Sequence, residues 1–245
     1  MINIKEAYLS YDNLILFDHI NLTIPTGKIT CLLGPSGVGK TTLLKMIANI
    51  IPENKQTVFK GTITFNQNES SNDISYMGQT DLLFPWLTAL ENTLIGSRLR
   101  GNNEKQVIDK AKHYFKLVNL SHAESKYPHE LSGGMRQRIA IIRTLVEDKS
   151  VILMDEPFSS LDAITRFELQ NLIVKLLQGK TVFLITHDPI EALRIADEIY
   201  VMSGLPASIS TTLSLKTLKP RNLADKDVIE NQELLFEALT EARHL

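Results

Sequence analysis

At 245 residues the chain is long enough for one large domain or two small ones, and its composition, 43% hydrophobic and 22% charged, is that of an ordinary globular protein. A formal net charge of −2 excludes a global electrostatic pull toward nucleic acid or anionic lipid. The single cysteine, Cys31, excludes an internal disulfide, and no uncharged apolar stretch approaches the roughly 18–20 residues of a bilayer span, so any membrane role is expected to be peripheral.

The chain starts as alternating strand, Ile2, Ile4 and Ala7, with no cleavable leader expected, and Ile20, Leu22 and Ile24 alternate behind it. Paired strands are predicted over the first 25 residues. The apolar run Ile29–Leu33, which holds Cys31 as a buried spectator thiol, leads into Gly34-Pro35-Ser36-Gly37-Val38-Gly39-Lys40-Thr41-Thr42 and then the helical spacing Leu43, Leu44, Ile47. This is a complete phosphate-binding loop in the strand–loop–helix setting it requires. Its glycines let the backbone approach an anion, so that the loop's N–H groups converge on phosphate oxygens. Lys40 adds a point charge for the terminal phosphates, and the Thr41 hydroxyl can bind magnesium.

Pro52–Lys60 reads as a polar break, Gly61–Phe65 as a strand, Asn66–Asp73 as a loop and Ile74–Met77 as a short strand ending at Gly78-Gln79. The Gln79 amide is placed to orient water or to coordinate magnesium. Residues 87–147 are predicted mostly helical, broken near Gly101-Asn102-Asn103 and Tyr127-Pro128. Inside this block Ser132 is a good N-cap for a helix over 133–147, and Gly133-Gly134 clear side chains from its mouth, which leaves a helix N-terminus ready for an anion.

Val151–Asp155 is a continuous apolar strand of the kind found in a parallel sheet covered on both faces. It ends in Asp155-Glu156 and delivers both acids to the carboxyl edge where the phosphate loop opens. Asp155 is the expected magnesium holder and Glu156 the general base or water-positioner. A helix with Leu169, Leu172, Ile173, Leu176 and Leu177 on one face follows, then a buried strand Thr181–Thr186 that sets His187 at the same edge. Asp188-Pro189-Ile190-Glu191 reads as a helix start, with cap, proline and a glutamate three residues after the cap. A strand is predicted at Glu198–Ser203. Beyond Gly204 the texture turns Ser/Thr-rich and polar, up to a charged helix over 225–243 with the stripe Val228, Leu235, Phe236, Leu239. Alternating strands and helices predict an α/β core with residues 87–147 as an inserted lobe.

Leu131-Ser132-Gly133-Gly134-Met135-Arg136-Gln137-Arg138 resembles the signature motif of ATP-binding-cassette (ABC) ATPases. The resemblance spans roughly residues 1–205 and gives each other feature a counterpart. Tyr11 looks like the aromatic that stacks on adenine, Gly34–Thr42 like the Walker A loop and Gln79 like the Q-loop glutamine. Asp155 and Glu156 are similar to the Walker B acid and catalytic glutamate, Ser160-Leu161-Asp162 to the D-loop and His187 to the switch histidine.

This resemblance implies a P-loop NTPase (RecA-type) core with an N-terminal antiparallel β subdomain and an inserted helical subdomain, using ATP and Mg²⁺. It also implies a head-to-tail homodimer that sandwiches two ATP molecules, each between Lys40 of one copy and Ser132, Gly133 and Gly134 of the other, with Asp162 nearby. A chain with one cassette resembles the stand-alone ATPase subunit of a bacterial importer, peripheral on the cytoplasmic face of the inner membrane. Its partners would be permease subunits and, indirectly, a solute-binding protein. The apolar cluster in Gln79–Thr88 resembles the groove that receives the permease.

Its Leu-Leu-Phe-Pro-Trp-Leu-Thr pattern is most similar to the nitrate/sulfonate/taurine branch, which includes importers of thiamine-precursor pyrimidines. Asn49 departs from the glycine common after the phosphate-loop helix, and Asn54–Lys60 looks like a slightly longer connection. Residues 206–245 form a tail too short for a regulatory domain. The alternatives are an exporter or lipoprotein-release ATPase, and a non-transport cassette acting on DNA or the ribosome. The second lacks its coiled-coil insertion, tandem cassette or basic stripe here, so no nucleic-acid partner is expected.

Overall fold

Long apolar alternation builds the first sheet. In the computed structural model, which describes residues 1–12, 14–51, 57–66, 73–101 and 105–243, β1 (Ile2–Tyr11) pairs antiparallel with β2 (Leu14–Ile24) and β4 (Thr57–Phe65) in the order β2-β1-β4. Ile2, Ile4, Ala7 and Leu9 of β1 and Ile20, Leu22 and Ile24 of β2 are buried against Leu43, Leu44 and Ile47 of α1 (Lys40–Ile47). β4 begins four residues earlier than predicted. Gly61 at φ 101° lets it bend past β1, where a Cβ would lie 2.5 Å from the Glu6 carbonyl oxygen. The register of the β1–β4 pair shifts at that point. Residues 52–56 of the expected polar break and most of the Asn66–Asp73 loop lie outside the described residues.

Asn49 explains its own departure from glycine. It sits at φ 56° and closes α1, its N–H donating to Met46 O while Ile50 N–H donates to Lys45 O. Those two bonds make a Schellman ending, in which asparagine is the usual substitute for glycine.

The second sheet runs β5 (Ile74–Met77), β6 (Val151–Asp155), β7 (Thr181–Ile185), β3 (Ile29–Leu33), β8 (Glu198–Ser203) and β9 (Ser208–Ser214). The first five are parallel, and β9 is antiparallel to β8. β3, β6 and β7 are buried at every position. Their alternate residues divide between two cores. Cys31, Met154 and Leu184 face one, and Leu32, Leu153 and Phe183 face the other. β9 was not predicted: the polar texture after Gly204 is an edge strand that extends the sheet.

The helical block comprises α2 (Ala89–Leu99), α3 (Lys105–Leu117) and α4 (Gly133–Val146), with short 3₁₀ turns at Ser121–Ala123 and Pro128–Glu130. Of the predicted break, Gly101 turns at φ 73°, and residues 102–104 lie outside the described residues. α5 (Ala163–Leu176) buries Leu169 and Ile173, followed by Leu177. α6 (Pro189–Ile195) lies beside α7 (Lys226–Glu241), which buries Val228, Leu235 and Ala238. Phe236 does not join that stripe and is 44% exposed. Arg221, fully buried, donates to Leu193 O and Ala196 O and so ties the chain before α7 to the carbonyl end of α6. Among the described residues no helix is long and apolar enough to cross a membrane.

Candidate functional site

The carboxyl edge of the parallel sheet gathers the chemistry. After β3 the loop turns at Gly34, φ 150°, where a Cβ would lie 2.3 Å from Met202 O. It turns again at Gly39, φ 107°, where a Cβ would lie 2.7 Å from the Phe17 ring. Neither position has room for a side chain. α1 starts directly behind with no side-chain cap and no acid in its first turn, which leaves its N–H groups for an anion.

Lys40, the first residue of α1, is buried, and its Nζ donates to Gly34 O at 2.8 Å and Pro35 O at 2.7 Å. The ammonium is thereby held at the centre of its own loop. Burial pulls its pKa down, against Glu156 and Asp155, which push it up. Thr41 Oγ1 donates to Asp155 Oδ2 at 2.6 Å, across from the end of β6. Burial raises the Asp155 pKa, opposed by this bond and reinforced by the adjacent Glu156 charge. Gln79 issues from β5, the neighbour of β6, and is exposed beyond it.

Glu156 turns the chain at φ 50°, in the left-handed region that a residue other than glycine adopts at a cost of about 1–3 kcal/mol. The turn is held from several sides. Glu156 N–H donates to Ile185 O at 2.9 Å, and Gln137 Nε2 of α4 donates to Glu156 O at 3.0 Å. The Glu156 carboxylate thus projects from a fixed backbone, and its Oε2 lies 3.1 Å from His187 Nδ1. The His187 ring is largely exposed. Gln137 was not singled out from sequence, although it lies in the signature run.

Asp188 caps α6 as predicted, accepting from Ile190 N–H at 2.9 Å and Glu191 N–H at 3.2 Å. The Glu191 side chain does not reach back to the cap. It is 4% exposed and accepts from Gln170 Nε2 at 3.0 Å. Burial first, then the Asp188 charge, push its pKa up to about 7, against hydrogen bonds from Thr186 and Gln170.

The remaining candidates lie apart from this cluster. Tyr11 closes β1, half-buried against the core that α1 shares. Asp162 caps α5, accepting from Thr165 N–H at 3.0 Å. Ser132 caps α4, its Oγ accepting from Met135 N–H at 3.3 Å, and the first turn of α4 contains no acid. A Cβ on Gly134 would lie 3.3 Å from Leu161 Cδ2 and 3.4 Å from Ser160 O, whereas Gly133 has only the tip of Arg136 nearby. The mouth of α4 therefore opens beside the Ser160–Asp162 loop. One neighbour was unforeseen: a cleft of about 360 Å³ has Gly34, Pro35, Ser36 and His187 on one side and Phe236, Thr240 and Arg243 of the α7 end on the other.

A parallel sheet whose carboxyl edge joins a phosphate loop, a threonine–aspartate pair and a glutamate–histidine pair defines a P-loop NTPase. The model of the family described as ABC transporter matches residues 17–159. An uncharacterized ABC transporter ATP-binding protein of Haemophilus influenzae is 38% identical over 243 residues, 98% of each chain. The taurine import ATP-binding protein TauB of Escherichia coli is 37% identical over 217 residues, 88% of this chain and 84% of that one. The aliphatic sulfonates import ATP-binding protein SsuB of Bacillus anthracis is 36% identical, over 94% of this chain and 89% of that one. Among solved structures, a dimeric ATP-binding cassette in a post-hydrolysis state bound to ADP and Pi superposes with a TM-score of 0.76 at 27% identity, over 89% of this chain and all of that one. The chain belongs to the ABC transporter family, and it is an ATP-binding subunit and an ATPase.

Proposed function

We propose that this chain powers a bacterial importer, hydrolysing ATP as a homodimer docked on a separate permease. The proposed cargo is a small solute of the sulfonate, taurine, nitrate or thiamine-precursor pyrimidine type, delivered to the permease by a solute-binding protein. The observation that carries the reading is the Thr41–Asp155 pair facing the Glu156–His187 pair across one sheet edge, in a chain 36–37% identical to TauB and SsuB over most of its length. In this reading residues 1–205 are the cassette, 206–245 its tail, and the assembly sits at the cytoplasmic face of the inner membrane.

Each group then has a task. Tyr11 stacks on adenine. The N–H groups of Gly34–Thr42 and the Lys40 ammonium hold the phosphates. Thr41 and Asp155 offer two hard oxygens already 2.6 Å apart, with the Gln79 amide on the adjacent strand end, a donor set that fits Mg²⁺. When bound, Mg²⁺ would neutralise phosphate charge. Glu156 accepts a proton from water as the water oxygen bonds to the terminal phosphorus; the bond to the bridging oxygen breaks, leaving ADP and phosphate. His187 orients the Glu156 carboxylate through Nδ1. Ser132, Gly133 and Gly134 of a second copy close on the terminal phosphate with the bare N–H groups of α4, and Asp162 keeps the adjoining loop in shape.

The test is a pair of variants. Glu156→Gln should keep ATP binding while turnover falls by about 10²–10⁴, the usual worth of a general base. Lys40→Ala should weaken binding itself, read by titration with fluorescent ATP. Unchanged turnover in Glu156→Gln would remove that residue from the role.

A further inference from the structure

The α7 side of the cleft beside the phosphate loop has none of the tasks assigned above, and its position has a geometric consequence. Within one chain, the open mouth of α4 cannot be separated from the Ser160–Leu161 loop, because Gly134 packs against Leu161 and Ser160 with no room for a Cβ to spare. A partner copy that brings its α4 mouth to the Lys40 loop must bring its Ser160–Leu161 loop and the first turn of α5 as well. That turn carries Ile164, 74% exposed in its own chain. The flank of the receiving loop, beside Pro35, Ser36 and His187, is open as a cleft, and its far wall is the end of α7.

The wall and the incoming segment match. Phe236 is 44% exposed on α7, whereas Val228, Leu235 and Ala238 turn into the core, so a large part of its ring is open to the cleft. Arg243, seven residues further on and just past the end of α7, is exposed and lines the same cleft. The segment that would enter presents the apolar Ile164 beside the Asp162 carboxylate. An apolar group and a cation thus meet an apolar group and an anion.

We infer that the last turns of α7 form the outer wall of the pocket that receives the partner copy's Ser160–Ile164 segment, which makes the C-terminal helix part of the ATP-dependent dimer interface. The inference rests on the sandwich arrangement proposed above, and the experiment separates the two. The full chain carrying Glu156→Gln is sedimented with ATP and Mg²⁺, alone and with Phe236→Asp, Ile164→Asp or both, and monomer ATP affinity is measured in parallel. Each single change should weaken dimerisation about tenfold or more with monomer ATP affinity held within about twofold, and the pair should be no more than about threefold worse than the stronger single, as expected for two sides of one contact. If Phe236→Asp unfolds the chain, Arg243→Glu at the exposed end replaces it with the same expected loss. Dimerisation unaffected by the α7 change, or penalties that multiply in the pair, would overturn the inference and leave the sandwich standing. A Glu156→Gln parent that stays monomeric with ATP would instead overturn the sandwich itself.

Discussion

Glu191 keeps its proton to a higher pH than its position in sequence gives reason to expect. Its pKa is pushed from 4.5 up to about 7, chiefly by burial, with Asp188 adding repulsion and Thr186, Gln170 and Arg166 opposing. Between those two values the folded chain keeps the proton and the unfolded chain has released it. The stabilising contribution is therefore full below pH 4.5 and is lost as pH rises through 7, a change of about 3 kcal/mol. Glu191→Gln is neutral throughout, and its amide oxygen can still accept from Gln170. Its stability relative to the parent should rise by up to about 3 kcal/mol across that window, most by pH 7 and above. Denaturant melts of the two proteins at intervals through the window check this, and a pH-independent gap would mean that Glu191 is ionised in the fold. At this scale the sequence made the outline legible and hid the partners. The phosphate loop, Asp155, Glu156 and His187 are readable because each lies at the end of an apolar run, so the sheet fixes where it emerges. Gln137 beneath Glu156, and the role of Glu191 as a buried acid in place of a capping residue, depend on contacts between elements distant in the chain.

Among the elements, the segment before α2 shows how one buried amide shapes an exposed loop. Asn92 is fully buried in α2. Its Nδ2 donates to Phe84 O, Leu87 O and Thr88 O at 3.0–3.1 Å, and its Oδ1 accepts from Phe84 N–H at 2.7 Å. A capping box adds Thr88 Oγ1 accepting from Glu91 N–H and Glu91 Oε2 accepting from Thr88 N–H. Asn92→Ala would strand buried backbone groups at about 1–3 kcal/mol and free the turn that bears Phe84 and Trp86. Trp86 is the only tryptophan in the chain, so its fluorescence anisotropy should fall in Asn92→Ala, together with the melting temperature. Anisotropy equal to that of the parent would show that the loop holds its shape without the amide. The elements missed from sequence share a cause. β9 has only Ile209 and Leu213 as apolar members, and Thr57–Lys60 of β4 is exposed at nearly every position. Edge strands of this kind are specified by their neighbour's free hydrogen-bonding groups rather than by a core, and periodicity reports only the core. The interior strands, buried on both faces, were placed within a residue.

For the whole molecule, the question is how the proposed nucleotide site would act on the proposed permease. The carboxyl edge of the sheet and the exposed apolar segment are joined through α4. Arg136 of α4 bonds Asp81 through Nε at 2.9 Å, and Arg143 donates to Leu82 O and Asp81 O. The same helix holds Glu156 through Gln137 and opens at Ser132. One helix thus touches the Glu156 turn, the mouth proposed to meet a second copy and the stretch Asp81–Trp86. That stretch leaves Leu82, Phe84 and Trp86 in solvent, Trp86 by 69%, with the Phe84 and Trp86 ring centroids 5.3 Å apart. Since Leu83 alone turns inward, burial within the chain does not account for the others, and a cluster of large apolar groups on the surface marks a partner site. Trp86→Ala should weaken binding of the permease in detergent by about tenfold or more, as a central aromatic anchor does, while ATP affinity of the isolated subunit stays within about twofold. Microscale binding to the purified permease, with fluorescent-ATP titration beside it, separates the two effects. Loss of ATP affinity along with permease binding would show that the segment supports the nucleotide site, whereas permease binding at full strength would move the docking surface away from Trp86.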